Sequence, residues 1–293
     1  MKKRYKLLIV LTVIICVAIL FLINNVLPYA IIKPPRIEAI NALQTNNIPY
    51  KNVEVISFDT LKLKGYHVKS ALDTTIASMI LVHGIGGCKE HFSELAIDLS
   101  NKGYDVWFFD NRAHGKSEGE YSTYGFYERR DIIKIVDVIK EQSNSKIGIW
   151  GNSLGGAIAI QALELDKRIA FGIIESTFTD LKQVVYDYQK RITKGIGFRF
   201  ICNQALKRAG KIANFNPDEV SLISSVININ QPVFLAHGDS DQNINVEYGR
   251  QLFKNLASIQ KELAIVKGGG HFGLAQTGGE NYTNKILNFL GSQ

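Results

Sequence analysis

Ile147-Gly-Ile-Trp-Gly-Asn-Ser-Leu-Gly-Gly156 is the stretch that decides the fold. Its apolar first half predicts a buried strand, and the small and apolar residues at 157–163 predict a helix. Gly-x-Ser-x-Gly between a strand and a helix is typical of a nucleophile elbow, a strained turn that exposes the serine hydroxyl at the head of the helix. Gly151 and Gly155 permit so tight a turn, because side chains there would collide with the neighbouring strand or helix. Ser153 is therefore the candidate nucleophile.

Predicted strands and helices alternate on both sides of this stretch. An antiparallel hairpin is predicted at 53–66. Strands are then predicted at 76–82, 104–110, 146–150, 171–176, 233–236 and 262–266. Helices are predicted between or after them at 89–101, 124–142, 246–258 and 279–290, besides the helix that follows Ser153. Such alternation favours an α/β architecture, in which helices cover both faces of a mostly parallel central sheet.

Residues 177–230 interrupt the alternation. The segment lacks an evident buried strand, and it holds eight basic residues against four acidic ones. We interpret it as a mostly helical cap insertion that lies over the carboxyl edge of the sheet. Its positive charge suits an anionic lipid surface, and an ordinary solvated face is the alternative. Its apolar residues are candidates to line a channel or to rest on a bilayer: Leu181, Val184, Val185, Tyr186, Phe198, Phe200 and Ile201.

A serine nucleophile needs a base within hydrogen-bond reach and a carboxylate that orients that base. His271 follows the last predicted strand, and it is the one histidine that comes after both candidate acids. Those acids, Asp239 and Asp241, follow the strand at 233–236. We favour Asp241, because Gly-x-x-Asp lets the loop turn before it presents the carboxylate, whereas Asp239 suits hydrogen bonding within the loop. The order Ser, Asp, His fits a nucleophile elbow in such a sheet.

His83-Gly-Ile-Gly-Gly87 follows the strand at 76–82 and supplies candidate donors for a developing oxyanion. These donors are the backbone N–H groups of Ile85 and of Leu154, the residue after the serine. A glycine-rich phosphate loop is the alternative interpretation. It is disfavoured because neither a Gly-Lys-Ser/Thr ending nor Gly-x-Gly-x-x-Gly is present, so nucleotide binding is not expected.

The composition, with 46% hydrophobic and 21% charged residues, is that of a globular protein with a sizeable core. The formal net charge is +7, and residues 1–36 carry six basic residues and no acidic one. The rest of the chain is therefore nearly neutral. Because the basic balance belongs mainly to the N-terminus, it gives little support to a nucleic-acid partner.

Residues 7–23 form an apolar run that four basic residues precede, and residues 7–27 reach the ordinary length of a membrane span. We interpret residues 1–27 as an uncleaved signal-anchor and residues 28–293 as the catalytic domain. A cleaved signal peptide is the alternative, but the run is long for a signal core and Pro28-Tyr-Ala30 is a poor cleavage site. The excess of basic residues before the span places the N-terminus in the cytoplasm and the domain outside it.

The cysteines do not form a disulfide framework, and neither a Cys-x-x-Cys pair nor a cluster of histidines accompanies them. Cys16 lies in the apolar run, and Cys88 and Cys202 are expected to be free thiols of the domain. We therefore expect no metal site.

Five motifs together resemble those of the α/β-hydrolase superfamily of serine hydrolases. They are His-Gly-Ile-Gly-Gly at 83–87, Asp-Asn-Arg-Ala-His-Gly-Lys-Ser at 110–117, Gly-Asn-Ser-Leu-Gly-Gly at 151–156, Gly-Asp-Ser-Asp at 238–241 and Gly-His-Phe at 270–272. The resemblance covers nearly all of residues 50–293. Within the superfamily, the chain is most similar to membrane-associated esterases and monoacylglycerol-lipase-like members with a short helical cap.

The resemblance implies the α/β-hydrolase fold and hydrolysis of carboxylic esters or related acyl bonds through an acyl-enzyme, without a cofactor. At the matching positions it implies Ser153 as nucleophile, Asp241 as acid, His271 as base, and Ile85 with Leu154 as the oxyanion hole. Two departures occur: Asn152 stands where many relatives have His or Tyr, and Ala113 replaces the glycine of Arg-Gly-His-Gly. Neither departure touches the triad.

The substrate is thus expected to be a small acyl ester or a lipid. A peptidase or a thioesterase that uses the same triad is the first alternative. A catalytically silent binding protein of the same fold is the second, and its usual mark would be loss of a triad member. The sequence retains all three.

Overall fold

A computed structural model describes residues 2–293, and within them the chain forms an eight-stranded mixed sheet. The strands are β1 (Lys51–Ile56), β2 (Lys62–Val68), β3 (Ala77–Val82), β4 (Tyr104–Phe109), β5 (Lys146–Asn152), β6 (Ile169–Glu175), β7 (Val233–Gly238) and β8 (Lys261–Val266). Their order in the sheet is β1-β2-β4-β3-β5-β6-β7-β8. β1 and β2 pair antiparallel, as does β2 with β4, and all pairs from β4 to β8 are parallel. The sheet confirms the predicted α/β-hydrolase architecture.

Helices cover both faces of this sheet. The helices within residues 2–293 are α1 (Lys2–Asn25), α2 (Leu27–Ile32), α3 (Ala42–Thr45), α4 (Ser93–Asn101), α5 (Glu128–Gln142), α6 (Leu154–Leu165), α7 (Leu181–Ile192), α8 (Arg199–Ile212), α9 (Leu222–Val226), α10 (Val246–Asn255) and α11 (Leu274–Gly291). One apolar core joins the sheet to α5, α6, α9 and α10, and the other joins its opposite face to α4 and α11. Residues 177–230 form α7, α8 and α9, together with a short 3₁₀ turn at Pro217–Glu219.

Three helices begin at positions other than those that the apolar periodicity predicts. α4 begins at Ser93 and not at Lys89, because Lys89–Phe92 forms a 3₁₀ turn. α5 begins at Glu128 and not at Tyr124, because Tyr124 and Gly125 have positive φ angles of 57° and 102°. The Glu128 carboxylate holds that turn by accepting the N–H groups of Thr123 at 2.8 Å and Gly125 at 2.9 Å. The last helix begins at Leu274, five residues earlier than predicted, and is kinked at Gly279.

The stretch Lys3–Ile32, which joins α1 and α2, is long and apolar enough to cross a membrane. The backbone N–H of Val26 bonds to the Leu22 carbonyl at 3.1 Å, so the helical path continues from α1 into α2 with little interruption. The chain that follows packs onto the domain, and the side chains of Ile32 and Leu43 are completely buried.

Candidate active site

Ser153 lies at the turn between β5 and α6, with φ 54° and ψ −119°. The two flanking glycines are needed there, because a Cβ at Gly155 would lie 1.8 Å from the Val82 carbonyl oxygen. A Cβ at Gly151 would lie 2.2 Å from the carbonyl oxygen of Gly155. The Ser153 N–H donates to the Glu175 carbonyl at 2.9 Å, which ties the turn to the end of β6. The strained turn that the sequence predicts is therefore present, and the neighbouring backbone stabilises it.

The serine hydroxyl, His271 and Asp241 form one chain of hydrogen bonds. The His271 Nε2 lies 2.9 Å from Ser153 Oγ, and its Nδ1 lies 2.7 Å from Asp241 Oδ2. Because a carboxylate only accepts, the proton of a neutral imidazole belongs on Nδ1, and the Nε2 lone pair then faces the serine hydroxyl. This is the tautomer that a general base for serine requires.

Asp241 has a complete set of donors although its side chain is fully buried. Its Oδ1 accepts the N–H groups of Asn243 at 2.7 Å and Ile244 at 2.9 Å, and the His237 Nε2 lies 3.3 Å from its Oδ2. Burial on its own raises the pKa of a carboxyl, but hydrogen bonds from His237, His271 and Ile244 outweigh it and hold the pKa of Asp241 well below its usual range. Asp241 is therefore a carboxylate at neutral pH.

Asp239, the competing aspartate, makes hydrogen bonds within the loop, as the sequence suggested. Its Oδ1 accepts the N–H of Gly268 at 2.7 Å and the hydroxyl of Ser240 at 3.1 Å. These bonds join the loop after β7 to the loop after β8, which carries His271. Asp239 holds the two loops together and makes no bond to the imidazole.

The loop 83–87 is anchored by His83, which the structure buries completely. The Nε2 of His83 accepts the N–H of Asn111 at 3.0 Å, and its Nδ1 lies 2.8 Å from the Gly84 carbonyl, to which it donates. Burial lowers the pKa of His83 to about 3, so the ring is neutral. Within residues 2–293, the N–H groups of Ile85 and Leu154 donate to no other protein group. Both remain available to a ligand beside Ser153.

A cavity of about 470 Å³ opens beside Ser153, Ile85 and Leu154, and its wall is almost entirely apolar. Four of the seven cap residues that the sequence singled out contribute to this wall: Val184, Val185, Phe198 and Ile201. The other three lie elsewhere. Leu181 is buried in the core, Tyr186 packs under Arg199, and Phe200 is exposed.

The sequence did not show that the N-terminal helices also line the cavity. Ile19, Leu22 and Ile23 of α1 reach the wall, and so do three residues of α2: Leu27, Ala30 and Ile31. The role of His237 was also missed. It reads as one more residue of a buried strand, and only the fold shows that its ring faces Asp241 and the Ile244 carbonyl.

Within the described residues, no group of three or more His, Cys, Asp or Glu side chains is arranged to hold a metal ion. Cys16 is exposed on α1, and Cys88 and Cys202 are buried free thiols. Burial raises the pKa of Cys202, which lines the cavity, and keeps its thiol protonated at neutral pH.

Comparison with known proteins agrees with this fold. A family model described as "Serine aminopeptidase, S33" matches residues 73–200. The protein YqkD of Bacillus subtilis is 28% identical over 242 residues, which cover 78% of this chain and 75% of that protein. The lysophosphatidylserine lipase ABHD12 of Xenopus tropicalis is 28% identical over 214 residues, covering 68% of this chain and 51% of that lipase.

Among solved structures, the esterase Pf2001 of Pyrococcus furiosus superposes with a TM-score of 0.74 at 26% sequence identity, covering 89% of this chain and 98% of that esterase. The chain therefore has the α/β-hydrolase fold, and it is similar to esterases and lipases of the serine-hydrolase type.

Proposed function

We propose that the protein hydrolyses carboxylic esters of apolar acyl groups, with Ser153 as the nucleophile, His271 as the general base and Asp241 as the orienting acid. One observation carries this proposal. The hydrogen-bonded chain from Ser153 Oγ through His271 to Asp241 ends at the wall of a large apolar cavity. A reactive serine at such a site meets the carbonyl of a substrate whose acyl chain fills the cavity.

The proposed reaction has two steps. Ser153 Oγ attacks the acyl carbonyl carbon while His271 Nε2 takes the hydroxyl proton, and the N–H groups of Ile85 and Leu154 stabilise the oxyanion. One such donor contributes about 3 kcal/mol to the transition state. His271 then gives its proton to the oxygen of the departing alcohol, and the acyl group stays bound to Ser153 as the acyl-enzyme. Water activated by the same imidazole attacks the acyl carbon, and the acid is released as the Ser153 hydroxyl is restored.

The cavity wall favours an ester over an aminoacyl peptide. An aminopeptidase has to hold the ammonium group of its substrate, and a buried cation needs a partner of opposite charge. The lining, within the described part of the chain, includes no carboxylate; its polar members beyond the serine are neutral, such as Gln189, Thr193 and Tyr188. The named activities of the ABHD12 relative and of Pf2001 point the same way.

The proposed location is a membrane, with residues 1–27 as the anchor and the domain outside the cytoplasm. Four basic residues precede the apolar run, and only Lys33 and Arg36 follow it closely. Arg36 is committed to the domain, because its guanidinium donates to the carbonyls of His114, Gly115 and two further residues of the same loop, Ser117 and Gly119. The four basic residues before the span outnumber the two that follow it closely, and this asymmetry favours a cytoplasmic N-terminus.

A substrate panel tests the reaction class. Purified full-length protein in detergent should hydrolyse p-nitrophenyl esters, with kcat/KM rising from the acetyl to medium-chain esters because the chain gains apolar contact. Acyl thioesters and aminoacyl amides of matched chain length are measured beside them, and the S153A variant gives the background. Faster cleavage of the aminoacyl amides than of the esters would instead assign a peptidase.

A further inference from the structure

The membrane helix forms part of the cavity wall as well as the anchor. Most of α1 is exposed: Leu7 is 70%, Leu11 54% and Leu20 60% accessible. In contrast, Ile23 is buried, and it lines the cavity together with Ile19 and Leu22. α1 spans about 36 Å at 1.5 Å per residue, which is close to the thickness of the apolar part of a bilayer. The residues that line the cavity therefore belong to the part of the helix that crosses the lipid.

This helix is fastened to the domain and is not a loose tether. The carbonyl of Ile32 accepts the N–H of Ser122 at 2.8 Å, and that of Ile31 accepts the hydroxyl of Tyr124 at 2.6 Å. Arg36 adds its bonds to the 114–119 loop immediately afterwards. Because these contacts follow α1 within a few residues, the direction of the membrane span fixes how the domain sits against the lipid surface.

The cap presents exposed apolar side chains beside the same helix. Ile192 and Phe198 line the cavity with α1, yet they are 78% and 47% exposed. Ile196 and Phe200, at 60% and 72%, continue this surface between α7 and the start of α8. Such a concentration of apolar surface is unusual in contact with water. Lys190 and Lys194, both exposed, flank it and suit the headgroup region.

We propose that the cavity opens sideways into the bilayer between α1 and the α7–α8 loop, and that its substrate is a long-chain acyl ester resident in the membrane. The occupant of the exposed apolar surface is then lipid, because that surface is continuous with a helix that spans the membrane. The acyl chain slides in between Leu22 and Phe198, and its carbonyl reaches Ser153 without crossing water. This inference rests on the proposed esterase function, since it names the substrate class of the same site.

The activity test compares two faces of α1. Full-length protein in phosphatidylcholine nanodiscs is assayed with 4-methylumbelliferyl palmitate dissolved in the bilayer and with water-soluble p-nitrophenyl acetate. L22W puts a large ring into the wall, whereas L20W places the same ring two positions away, on the lipid-facing side. We expect L22W to lower the ratio of kcat/KM for the palmitoyl ester to that for the acetyl ester about tenfold or more, because it fills the chain path. L20W should keep the wild-type ratio.

An equal ratio in L22W, L20W and the wild type would overturn the inference, as would an equal fall in both variants. If the wild type hydrolysed neither ester, the proposed function itself would fail, and the position of the domain would still need a separate measurement. That measurement uses a C16S background, because Cys16 is the exposed thiol among the described cysteines.

In this background an environment-sensitive nitrobenzoxadiazole label is placed on one of two introduced cysteines. F200C lies in the cap, and I259C replaces a residue that is 97% exposed, just before β8 at the amino edge of the sheet. In vesicles that contain spin-labelled phosphatidylcholine, the label at 200 should be quenched and the label at 259 should not. Equal quenching at both positions, or none at 200, would contradict insertion of the cap surface into lipid.

Discussion

Replacement of Asp241 by asparagine is expected to lower kcat for ester hydrolysis about 10⁴-fold while the protein remains folded. The amide oxygen can still accept the N–H groups of Asn243 and Ile244, so the loop after β7 keeps its bonds. The amide nitrogen then faces His271 Nδ1 and donates to it. The imidazole must accept there and carry its proton on Nε2, so it no longer has a lone pair for the Ser153 hydroxyl.

D239N is the matched control, because the two aspartates share one loop. An asparagine oxygen at 239 can still accept the N–H of Gly268, and Asp239 makes no bond to His271. We expect D239N to keep activity within about tenfold of the wild type, since only a charge-assisted bond within the loop is weakened. Steady-state kinetics with a p-nitrophenyl ester and the far-ultraviolet circular dichroism of both variants check this. Equal losses in the two variants would remove Asp241 from its proposed role.

Gly155→Ala is expected to destabilise the fold by more than about 3 kcal/mol. The added Cβ would lie 1.8 Å from the Val82 carbonyl oxygen and 2.9 Å from that of His83. Both oxygens belong to the end of β3 and the loop after it, and backbone in the centre of a sheet has nowhere to move. The start of α6 would have to withdraw from β3, which also displaces Ser153.

The midpoint of thermal unfolding in detergent measures this effect. Gly291→Ala serves as control, because a Cβ at Gly291 meets open space at the exposed end of α11. The control should be neutral or stabilising by up to about 1 kcal/mol, since alanine is the better helix former. A wild-type midpoint for Gly155→Ala would mean that β3 and α6 are not packed as closely as described.

The sheet and its helices were largely predictable, because buried strands read as continuous apolar runs and helices as periodic ones. The start of α5 was not. Tyr124 to Tyr127 continue the apolar pattern of that helix, but the carboxylate of Glu128 folds back on the residues before it and holds a turn. A local hydrogen bond of this kind overrides periodicity and leaves no mark on it.

The chemistry at the sheet edge was predictable from order and position, because the carboxyl ends of parallel strands meet. The structure places His271 within hydrogen-bond distance of both Ser153 and Asp241. The participation of α1 was not predictable. Ile19 and Leu22 face a cavity and Leu20 faces outward, yet all three are apolar, because lipid and an acyl-binding cavity select the same side chains.

The contacts of the charged residue Arg36 were also not predictable from the sequence. In the sequence it is one of two basic residues that soon follow an apolar run, and it counts only toward the basic balance of the N-terminus. In the structure its guanidinium satisfies four backbone carbonyls of a loop about eighty residues away. A long-range partner of that kind is invisible without the fold, and the contact fastens the N-terminal helices to the domain.

Covalent labelling of the full-length protein by a fluorophosphonate probe tests the central claim most directly. An activated serine attacks the phosphorus, loses its proton to the base and displaces fluoride, so intact-mass spectrometry should show one phosphonyl adduct, located on the peptide that contains Ser153. The S153A variant, folded by circular dichroism, should not be labelled. An adduct that persists in S153A, or one found on another residue of the wild type, would contradict the assignment of Ser153 as the nucleophile.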